Sequence, residues 1–313
     1  MTWCIVITLA AVVLLPMAQA GTITQKFTFE RGLMGTRFAI TCYSPNQEQA
    51  RVAAEAAFQA AEEINQVASD YIADSELLQL MRHPAGEAIS VSPLLFNLIF
   101  QARHFAELTN GYFDPTLGPL TKLWRESRRR KSVPDSTALS TARAATGWKN
   151  LSLDQSKSTL SFSNPGMRLD LGGIAKGQAA DAMLLVMVSH NLPRSCITAG
   201  GDVRLGDPPP DTKGWKIGVK SSNKKDQELL TLANCAVSTS GDLHQFVEIN
   251  GTRYSHIIDP MTGLGVTRSI TATIIAPTAT MSDALATACC TAPMISAREI
   301  ALAAGATNVI LTN

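Results

Sequence analysis

The spacing of apolar and polar residues along the chain predicts helices and strands in irregular alternation. Apolar residues recur at helical intervals in residues 48–67, 93–108 and 177–190, and again from Met281 onward. Extended apolar stretches predict strands at 25–43 (interrupted at 32–35), 161–171, 215–219 and 269–276. Many Gly and Pro turns separate these segments, without an internal repeat or a low-complexity linker. We therefore predict one α+β domain with mixed sheets and packed helices, beginning near residue 24 and reaching the end of the chain.

The first twenty residues differ in character from the rest. Residues 3–17 carry no charge, and Ala18-Gln19-Ala20 before Gly21 has the small-residue pattern of a signal-peptide cleavage site. We predict a secretory signal peptide at 1–20 and the mature domain at 21–313, although the start of the chain lacks Lys and Arg. The alternative is an uncleaved anchor, but a stretch of this length spans about 22 Å against about 30 Å of bilayer hydrocarbon. The absence of a Cys at the cleavage point argues against a lipoprotein.

The composition excludes two broad classes of protein. In 313 residues, 45% are hydrophobic and 17% charged, which excludes a disordered chain. The net charge of +1 argues against nucleic acid as the main partner, since phosphate binding requires concentrated positive charge. We interpret the basic cluster at Arg125 and 128–131 as a solvated helix end or loop.

Cysteine usage argues against both a disulfide framework and a zinc site. Cleavage after Ala20 would leave an odd number, all in apolar stretches where Cys acts as a small buried hydrophobe. These are Cys42, Cys196, Cys235, Cys289 and Cys290. The sequence contains no C-x-x-C and no H-E-x-x-H motif. We interpret the vicinal pair Cys289–Cys290 as helix packing rather than a redox centre.

A glycine-rich segment, LDLGGIAKG at 169–177, is the strongest candidate for chemistry. Asp170 precedes two glycines, and a predicted helix then begins close to Lys176. Free amides at a helix start, with a lysine beside them, suit a phosphate group. The segment is not a Walker A loop, because no Ser or Thr follows the lysine. A tight turn with a surface lysine is the alternative.

Two further segments carry polar side chains suited to a ligand. In TMSDALAT at 280–287, Asp283 and Thr287 are one helical turn apart, and their oxygens suit a hard cation such as Mg²⁺. An acidic first turn that favours the helix dipole is the alternative. In YSHIIDPMTG at 254–263, His256 stands at the end of a strand, before an Asp-Pro turn, and is placed for proton transfer or ligand contact. The alternative is a half-buried His bonded to the backbone.

Aromatic and turn residues supply the remaining pieces. GYFDPT at 111–116 places aromatic rings beside Asp114, as a flat heterocycle would require, although Phe and Tyr more often belong to the core. MGT stands at 34–36, AGGDV at 199–203 and STSGD at 238–242.

Taken together, in this order, these segments resemble the FAD:protein FMN transferase family, also written ApbE. The resemblance covers nearly all of the mature chain, from Met34 to Thr287, and implies a single domain of that family with an FAD and metal cleft. It further implies an exported, Mg²⁺-dependent enzyme that splits FAD at the pyrophosphate. FMN would then be attached by a phosphoester to a Ser or Thr of an acceptor protein.

The resemblance also implies the site residues. The Gly173 carbonyl, the Asp283 carboxylate and the Thr287 hydroxyl would hold Mg²⁺, and His256 and Asp283 would be catalytic. The FAD site would be lined by Met34, Tyr71, Tyr112, Phe113, Asp114, Asp170, Lys176, His256, Ile257 and Ile258.

The implied partner is an acceptor protein with an S/T-G-A-T-like motif, such as a membrane subunit of a redox complex. The enzyme would act in the periplasm or at the outer face of the inner membrane. Three alternatives stay open. One is an FAD pyrophosphatase that yields FMN and AMP, the second is a non-catalytic periplasmic flavin-binding protein, and the third is a thiamine-biosynthesis lipoprotein. The missing lipoprotein cysteine argues against the last.

Overall fold

The computed structural model describes residues 24–220, 227–241 and 245–312. The predicted signal peptide at 1–20 lies outside these ranges, as does Asp242 of the STSGD segment. The helices in the described ranges are α1 (Gln47–Ala68), α2 (Glu76–Leu80), α3 (Pro93–Leu108), α4 (Gly118–Arg130), α5 (Ser136–Ala144), α6 (Ala175–Ser189), α7 (Ala279–Thr291) and α8 (Met294–Ala303). A short 3₁₀ turn covers Trp148–Asn150.

Fourteen strands in the described ranges form four sheets. They are β1 (Gln25–Leu33), β2 (Thr36–Ser44), β3 (Ile89–Ser90), β4 (Leu151–Asp154), β5 (Thr159–Phe162), β6 (Ser195–Ala199), β7 (Asp202–Leu205), β8 (Trp215–Lys220), β9 (Gln227–Leu232), β10 (Ala236–Gly241), β11 (Phe246–Ile249), β12 (Thr252–Ser255), β13 (Thr271–Ala276) and β14 (Asn308–Thr312). The main sheet has the order β1-β2-β6-β7-β10-β13-β14. Smaller sheets are β3-β5-β4, β8-β9 and β11-β12.

The α+β class is confirmed. Every pair of named strands is antiparallel, so the sheets are antiparallel rather than the mixed sheets that we expected. Consecutive antiparallel strands need only short connections, as in the hairpins β1–β2, β4–β5, β6–β7 and β11–β12.

The inner strands of the main sheet are buried on both faces, and their successive side chains point to opposite sides. On one side α1, α6 and α7 pack against the strands, and Ile197 and Ala236 belong to that core. On the other side Cys196 and Val237, each one residue away, pack with side chains of β8 and β9. The central strand of this sheet is β7, which begins with Asp202.

The first hairpin explains the Met34-Gly35 interruption in the sequence pattern. Leu33 pairs with Thr36, so Met34 and Gly35 form a two-residue turn, with φ of 49° and 70°. Two positive φ angles define the type I′ turn, whose twist matches that of the flanking strands. Glycine takes this conformation without strain, which explains Gly35 at the second position.

Local sequence signals fix most helix starts. Asn46 caps α1 by accepting a hydrogen bond from the Gln49 amide at 2.8 Å, and Ser92 caps α3 by accepting from the Leu95 amide at 3.2 Å. Pro93 stands in the first turn of α3, where its missing amide is harmless. The helices predicted at 48–67, 93–108, 177–190 and from Met281 are confirmed as α1, α3, α6 and α7.

One predicted strand was too long. The stretch 161–171 forms a strand only as far as Phe162, as part of β5. Asn164-Pro165-Gly166 then makes a turn, with Gly166 at φ 76°, because proline cannot donate to a strand ladder and glycine takes the left-handed conformation. Asp170 therefore lies in an irregular segment rather than at a strand end.

The described residues contain no helix long and apolar enough to cross a membrane. Cys289 and Cys290 belong to α7 and are both buried in the core, which confirms helix packing as their structural role.

Candidate functional site

An open cleft of about 740 Å³ lies where α6, α7, the 111–128 region and the ends of the main sheet meet. This volume is in the range of small-molecule and cofactor sites. The cleft collects nearly all of the site residues that the sequence predicted. Those lining it are Tyr71, Tyr112, Phe113, Asp114, Asp170, Gly173, Lys176, His256, Ile257, Ile258, Asp283 and Thr287.

Met34 is the one predicted site residue that does not line this cleft. It lies in the β1–β2 turn and packs, half-buried, against the core beneath α1. Thr36, two residues further on, does line the cleft. The role of Met34 in binding FAD stays a prediction.

Three charged side chains meet at one wall of the cleft. The ammonium of Lys176 lies 3.2 Å from Oδ2 of Asp283 and 3.3 Å from Oδ2 of Asp202. Both carboxylates are 2% exposed. We call this group the charged triad (Lys176, Asp202, Asp283). Its formal charge is −1, and burying a net charge is costly unless a further cation or donor compensates it.

The pKa values within the triad reflect this balance. Burial alone lowers the pKa of Lys176, but the carboxylates of Asp202 and Asp283 raise it by more, so the net shift is upward. Burial and the negative charge of Asp202 raise the pKa of Asp283, which Lys176 and the Gly177 amide offset only in part. Lys176 therefore stays protonated, and a further positive charge beside Asp283 would stabilise the ionised form of that carboxylate.

The backbone at the start of α6 points at the same carboxylate. The helix has no side-chain cap of its own, since Ile174 stands at the N-cap position. Oδ2 of Asp283 instead accepts a hydrogen bond from the Gly177 amide at 3.1 Å. The positive end of the α6 dipole thus favours the carboxylate, or any anion that approaches it.

Helices α6 and α7 approach closely to make this contact possible. A Cβ atom at Gly177 would lie 2.2 Å from the carbonyl oxygen of Ala279, so only glycine fits. In return, Asp181 of α6 accepts hydrogen bonds from the amides of Ala279 and Thr280 at the start of α7. Each helix therefore caps the other with an aspartate.

The glycine turn before α6 contacts α7 at Thr287, which lies one helical turn after Asp283. A Cβ atom at Gly173 would lie 3.0 Å from Oγ1 of Thr287, so the turn and α7 are in contact. Asp170 holds the turn, since its Oδ1 accepts from the Gly172 amide at 2.9 Å and its Oδ2 from the Thr121 hydroxyl at 2.7 Å.

Asp114 has a structural task in the cleft wall. Its Oδ1 accepts from both the amide and the hydroxyl of Thr116, at 2.7 and 2.6 Å. Its Oδ2 accepts from the Trp148 amide at 3.1 Å. Burial raises the pKa of Asp114, and these hydrogen bonds oppose the shift. The carboxylate orders the loop that carries Tyr112 and Phe113.

His256 follows β12 directly and is half-buried at the cleft. Its Nδ1 lies 3.1 Å from the carbonyl oxygen of Gln245, and its own backbone amide donates to the same oxygen at 2.9 Å. Both residues line the cleft. These contacts fix the ring relative to the backbone, as the alternative interpretation of the sequence expected, and leave it facing the cleft, as proton transfer requires.

Part of the basic cluster faces the cleft, contrary to our interpretation of all of it as solvated. Arg125 and Arg128 line the cleft, while Arg129 and Arg130 are exposed at the end of α4. Arg125 pairs with Asp70 at 2.6 Å, and its guanidinium lies 4.3 Å from the centre of the Tyr71 ring. Arg125 therefore holds Tyr71, whose side chain is otherwise largely exposed.

Sequence reasoning missed several members of this site, among them Asp202 and Arg125. Asp202 stood inside the AGGDV segment but was not assigned a role, and Arg125 was hidden in a run of basic residues. The signal for Asp202 was an aspartate directly after two glycines and before an apolar strand, where a buried carboxylate needs a partner. Arg125 carried no comparable signal, since only the helix phase separates it from Arg129.

The oxygen atoms that line the cleft decide which metal ion it could hold. Among the described residues, no cluster of three or more His, Cys, Asp or Glu side chains could hold a metal by itself. One carboxylate, a hydroxyl and a turn carbonyl are instead available, at Asp283, Thr287 and Gly173. Mg²⁺ commonly takes one or two carboxylates and completes its shell with substrate phosphates and water, so these residues fit that ion.

The fold and the cleft define an α+β protein whose charged wall, built on a glycine turn and a helix start, suits a divalent cation together with a phosphorylated ligand. The chain belongs to the ApbE family, whose model matches residues 34–311.

Curated relatives and solved structures agree with this assignment. The chain is 32% identical over 275 residues to an FAD:protein FMN transferase of Treponema pallidum, covering 82% of this chain and 76% of that protein. It is 33% identical over 232 residues to an FAD:protein FMN transferase of Vibrio cholerae, covering 72% and 69%. The crystal structure of an ApbE protein from Thermotoga maritima matches with a TM-score of 0.83 and 33% identity, over 92% of this chain and 94% of that one. The flavin transferase ApbE from Vibrio cholerae matches with a TM-score of 0.81 and 28% identity, over 92% and 93%.

Proposed function

We propose that this protein transfers FMN from FAD to a Ser or Thr hydroxyl of an acceptor protein and releases AMP. The observation that carries the proposal is the pairing of Asp283 with Lys176 and the Gly177 amide, inside a cleft lined by aromatic residues. It is supported by membership of a family whose curated relatives are named FAD:protein FMN transferases.

The proposed reaction replaces the phosphoanhydride bond between the two phosphates of FAD by a phosphoester bond to the acceptor. The acceptor oxygen forms a bond to the phosphorus of the FMN half of FAD, and the bond from that phosphorus to the bridging oxygen breaks. AMP leaves with the bridging oxygen. Positioning and charge neutralisation dominate the catalysis of such displacements, which is why the charged wall matters more than a strong nucleophile in the enzyme.

The residues of the cleft fit a Mg²⁺ requirement. Asp283, Thr287 and the carbonyl of Gly173 would hold the ion, whose chemistry is to neutralise charge on the pyrophosphate. The Lys176 ammonium, kept protonated by its two carboxylate neighbours, contributes fixed positive charge on the same wall. The start of α6 adds its dipole.

We assign His256 as the general base. The contact of Nδ1 with the Gln245 carbonyl holds the imidazole at the cleft, where it would accept the proton of the acceptor hydroxyl. Phe113, Tyr112 and Tyr71 supply flat surfaces for the ring systems of FAD.

The cellular setting is part of the proposal. With the signal peptide predicted at 1–20, the mature enzyme would act in the periplasm or at the outer face of the inner membrane. Its acceptor would carry an S/T-G-A-T-like segment, as in a membrane subunit of a redox complex.

Intact-mass spectrometry tests the proposal directly. The mature chain is incubated with FAD, Mg²⁺ and a small protein bearing an S/T-G-A-T segment, while AMP is measured in parallel. The expected result is an acceptor heavier by one FMN in the presence of Mg²⁺ only. An acceptor with Ala in place of the Ser or Thr is the matched control and should stay unmodified.

Two other outcomes would overturn the proposal. AMP and free FMN with an unmodified acceptor would identify an FAD pyrophosphatase. Bound FAD without AMP or modified acceptor would identify a flavin-binding protein.

A further inference from the structure

Asp202 occupies an unusual position for a carboxylate. It begins β7, the central strand of the main sheet, directly after the Gly200-Gly201 turn, and pairs there with Ser238 of β10. Its side chain is 2% exposed. Its Oδ2 lies 3.3 Å from the Lys176 ammonium, yet makes no well-directed hydrogen bond. A buried carboxylate oxygen without a hydrogen-bond donor destabilises the fold, because an incompletely satisfied charge in the interior is costly. Its presence here therefore suggests a role in the site.

The geometry of Lys176 indicates that role. Its ammonium lies between Asp202 and Asp283, at 3.3 and 3.2 Å, and 3.4 Å from the carbonyl oxygen of Gly172. The well-directed hydrogen bonds of the ammonium go to Asp283 and Gly172, while Asp202 interacts with it as an ion pair at 3.3 Å. A lysine side chain is flexible, and its three donors can turn toward another acceptor over such a distance.

We propose that Asp202 is a positioning residue that takes over the Lys176 ammonium when Asp283 binds a divalent cation. The inference rests on the proposed function, in which Asp283 is a metal ligand. Without a second carboxylate, the cation would compete with Lys176 for the only negative charge of the group, and the ammonium would remain beside it. With Asp202, the three side chains carry −1 before the cation arrives, and Lys176 has an alternative partner.

The test is the affinity for Mn²⁺ in the absence of FAD, measured by electron paramagnetic resonance at pH 8. Mn²⁺ replaces Mg²⁺ because it takes similar oxygen ligands and gives a signal. Asp202→Asn should weaken Mn²⁺ binding about 10- to 100-fold, the range found when groups that support metal ligands are removed. Asp207→Asn is the matched control, since Asp207 lies outside the cleft, and should bind like wild type.

A double variant separates positioning from a merely structural role. Lys176→Met with Asp202→Asn removes the ammonium that competes for Asp283 and restores the formal charge of −1. Its Mn²⁺ affinity should return to within a few fold of wild type, which damage to the fold would not allow. Asp202→Ser serves as a second single variant if the Asn variant does not fold.

Unchanged affinity in a folded Asp202→Asn protein would overturn the inference, as would a double variant as weak as the single one. If wild type itself binds no Mn²⁺ either alone or with FAD, the assignment of Asp283 as a metal ligand fails instead. The two failures are therefore distinguishable.

Discussion

The carboxylate of Asp283 accepts a hydrogen bond from the backbone amide of Gly177, 3.1 Å away at the start of the neighbouring helix. A residue assigned to the chemistry of the site thus also caps α6, which lacks a side-chain cap of its own. Because Asp181 caps α7 in return, the orientation of Asp283 depends on the packing of the two helices. The fold and the site are coupled at this point.

Gly177→Ala should destabilise the protein and disturb the site together. Its Cβ would lie 2.2 Å from the Ala279 carbonyl oxygen, so α6 and α7 must separate. We expect a loss of about 1–3 kcal/mol in the free energy of unfolding, as for other overpacked cores. Urea denaturation followed by circular dichroism measures it.

Gly32→Ala is the matched control, because a Cβ there would meet nothing within 4 Å. It should change the free energy of unfolding by less than about 1 kcal/mol. Equal stabilities for the two variants would contradict the close helix contact.

Asp283→Asn should abolish Mg²⁺-dependent FMN transfer while keeping the fold. The amide oxygen can still accept from Gly177, but the charge that attracts the cation is lost. We expect at least a 100-fold decrease in kcat, checked by acceptor flavinylation across a Mg²⁺ titration. Asp154→Asn, at an exposed side chain outside the cleft, is the control and should leave kcat unchanged. Full turnover with Mg²⁺ in Asp283→Asn would show that Asp283 is not a ligand of the metal.

His256→Ala should slow transfer by about 10²- to 10⁴-fold, the usual contribution of a general base, while FAD still binds. Flavinylation rates and an FAD titration separate the two effects. His83→Ala, on an exposed residue outside the cleft, should leave both unchanged. A His256→Ala enzyme that transfers FMN at the wild-type rate would rule out the general-base role.

Arg125→Ala should weaken FAD binding through Tyr71. The substitution removes the ion pair with Asp70 and the cation that lies against the Tyr71 ring, interactions worth about 1 kcal/mol in partly exposed positions. We expect the KM for FAD to rise about 3- to 10-fold.

Arg130→Ala tests whether that effect is local. Arg130 is exposed and, within the part of the chain that the structure describes, forms its ion pair with Glu126 of the same helix, so its removal should not change KM. If both variants raise KM equally, general positive charge rather than the Arg125–Tyr71 contact is responsible.

The buried thiol of Cys196 should make stability depend on pH in the alkaline range. Burial raises the pKa of Cys196 to about 12, an effect that Lys26 opposes only weakly, whereas an unfolded thiol ionises near pH 9. Ionisation above about pH 9 therefore favours the unfolded chain, and stability falls as pH rises. Up to about pH 11, Cys196→Ala should lose stability less steeply than wild type, by about 1.4 kcal/mol per pH unit. Urea denaturation at a series of pH values measures the free energy of unfolding of both proteins. Parallel plots of that free energy against pH would contradict the buried, protonated thiol.

Much of the secondary structure follows from local signals that the sequence carries openly. The bounds of α3 coincide with the prediction because Ser92 and Pro93 mark its start. The same local logic fails at 161–171, where apolar residues suggested a long strand and the Asn164-Pro165-Gly166 turn ended it.

The sequence by itself determined the α+β class, the helices that carry Lys176 and Asp283, and the family resemblance, because these depend on periodicity and short contiguous motifs. Only the tertiary structure decided that Asp202 completes the charged triad, that Arg125 faces the cleft, and that Met34 lies outside its lining. Asp202 is separated from Lys176 by 26 positions and from Asp283 by 81 along the chain. Contacts over such distances are set by sheet order and helix packing, which local patterns of polarity do not encode.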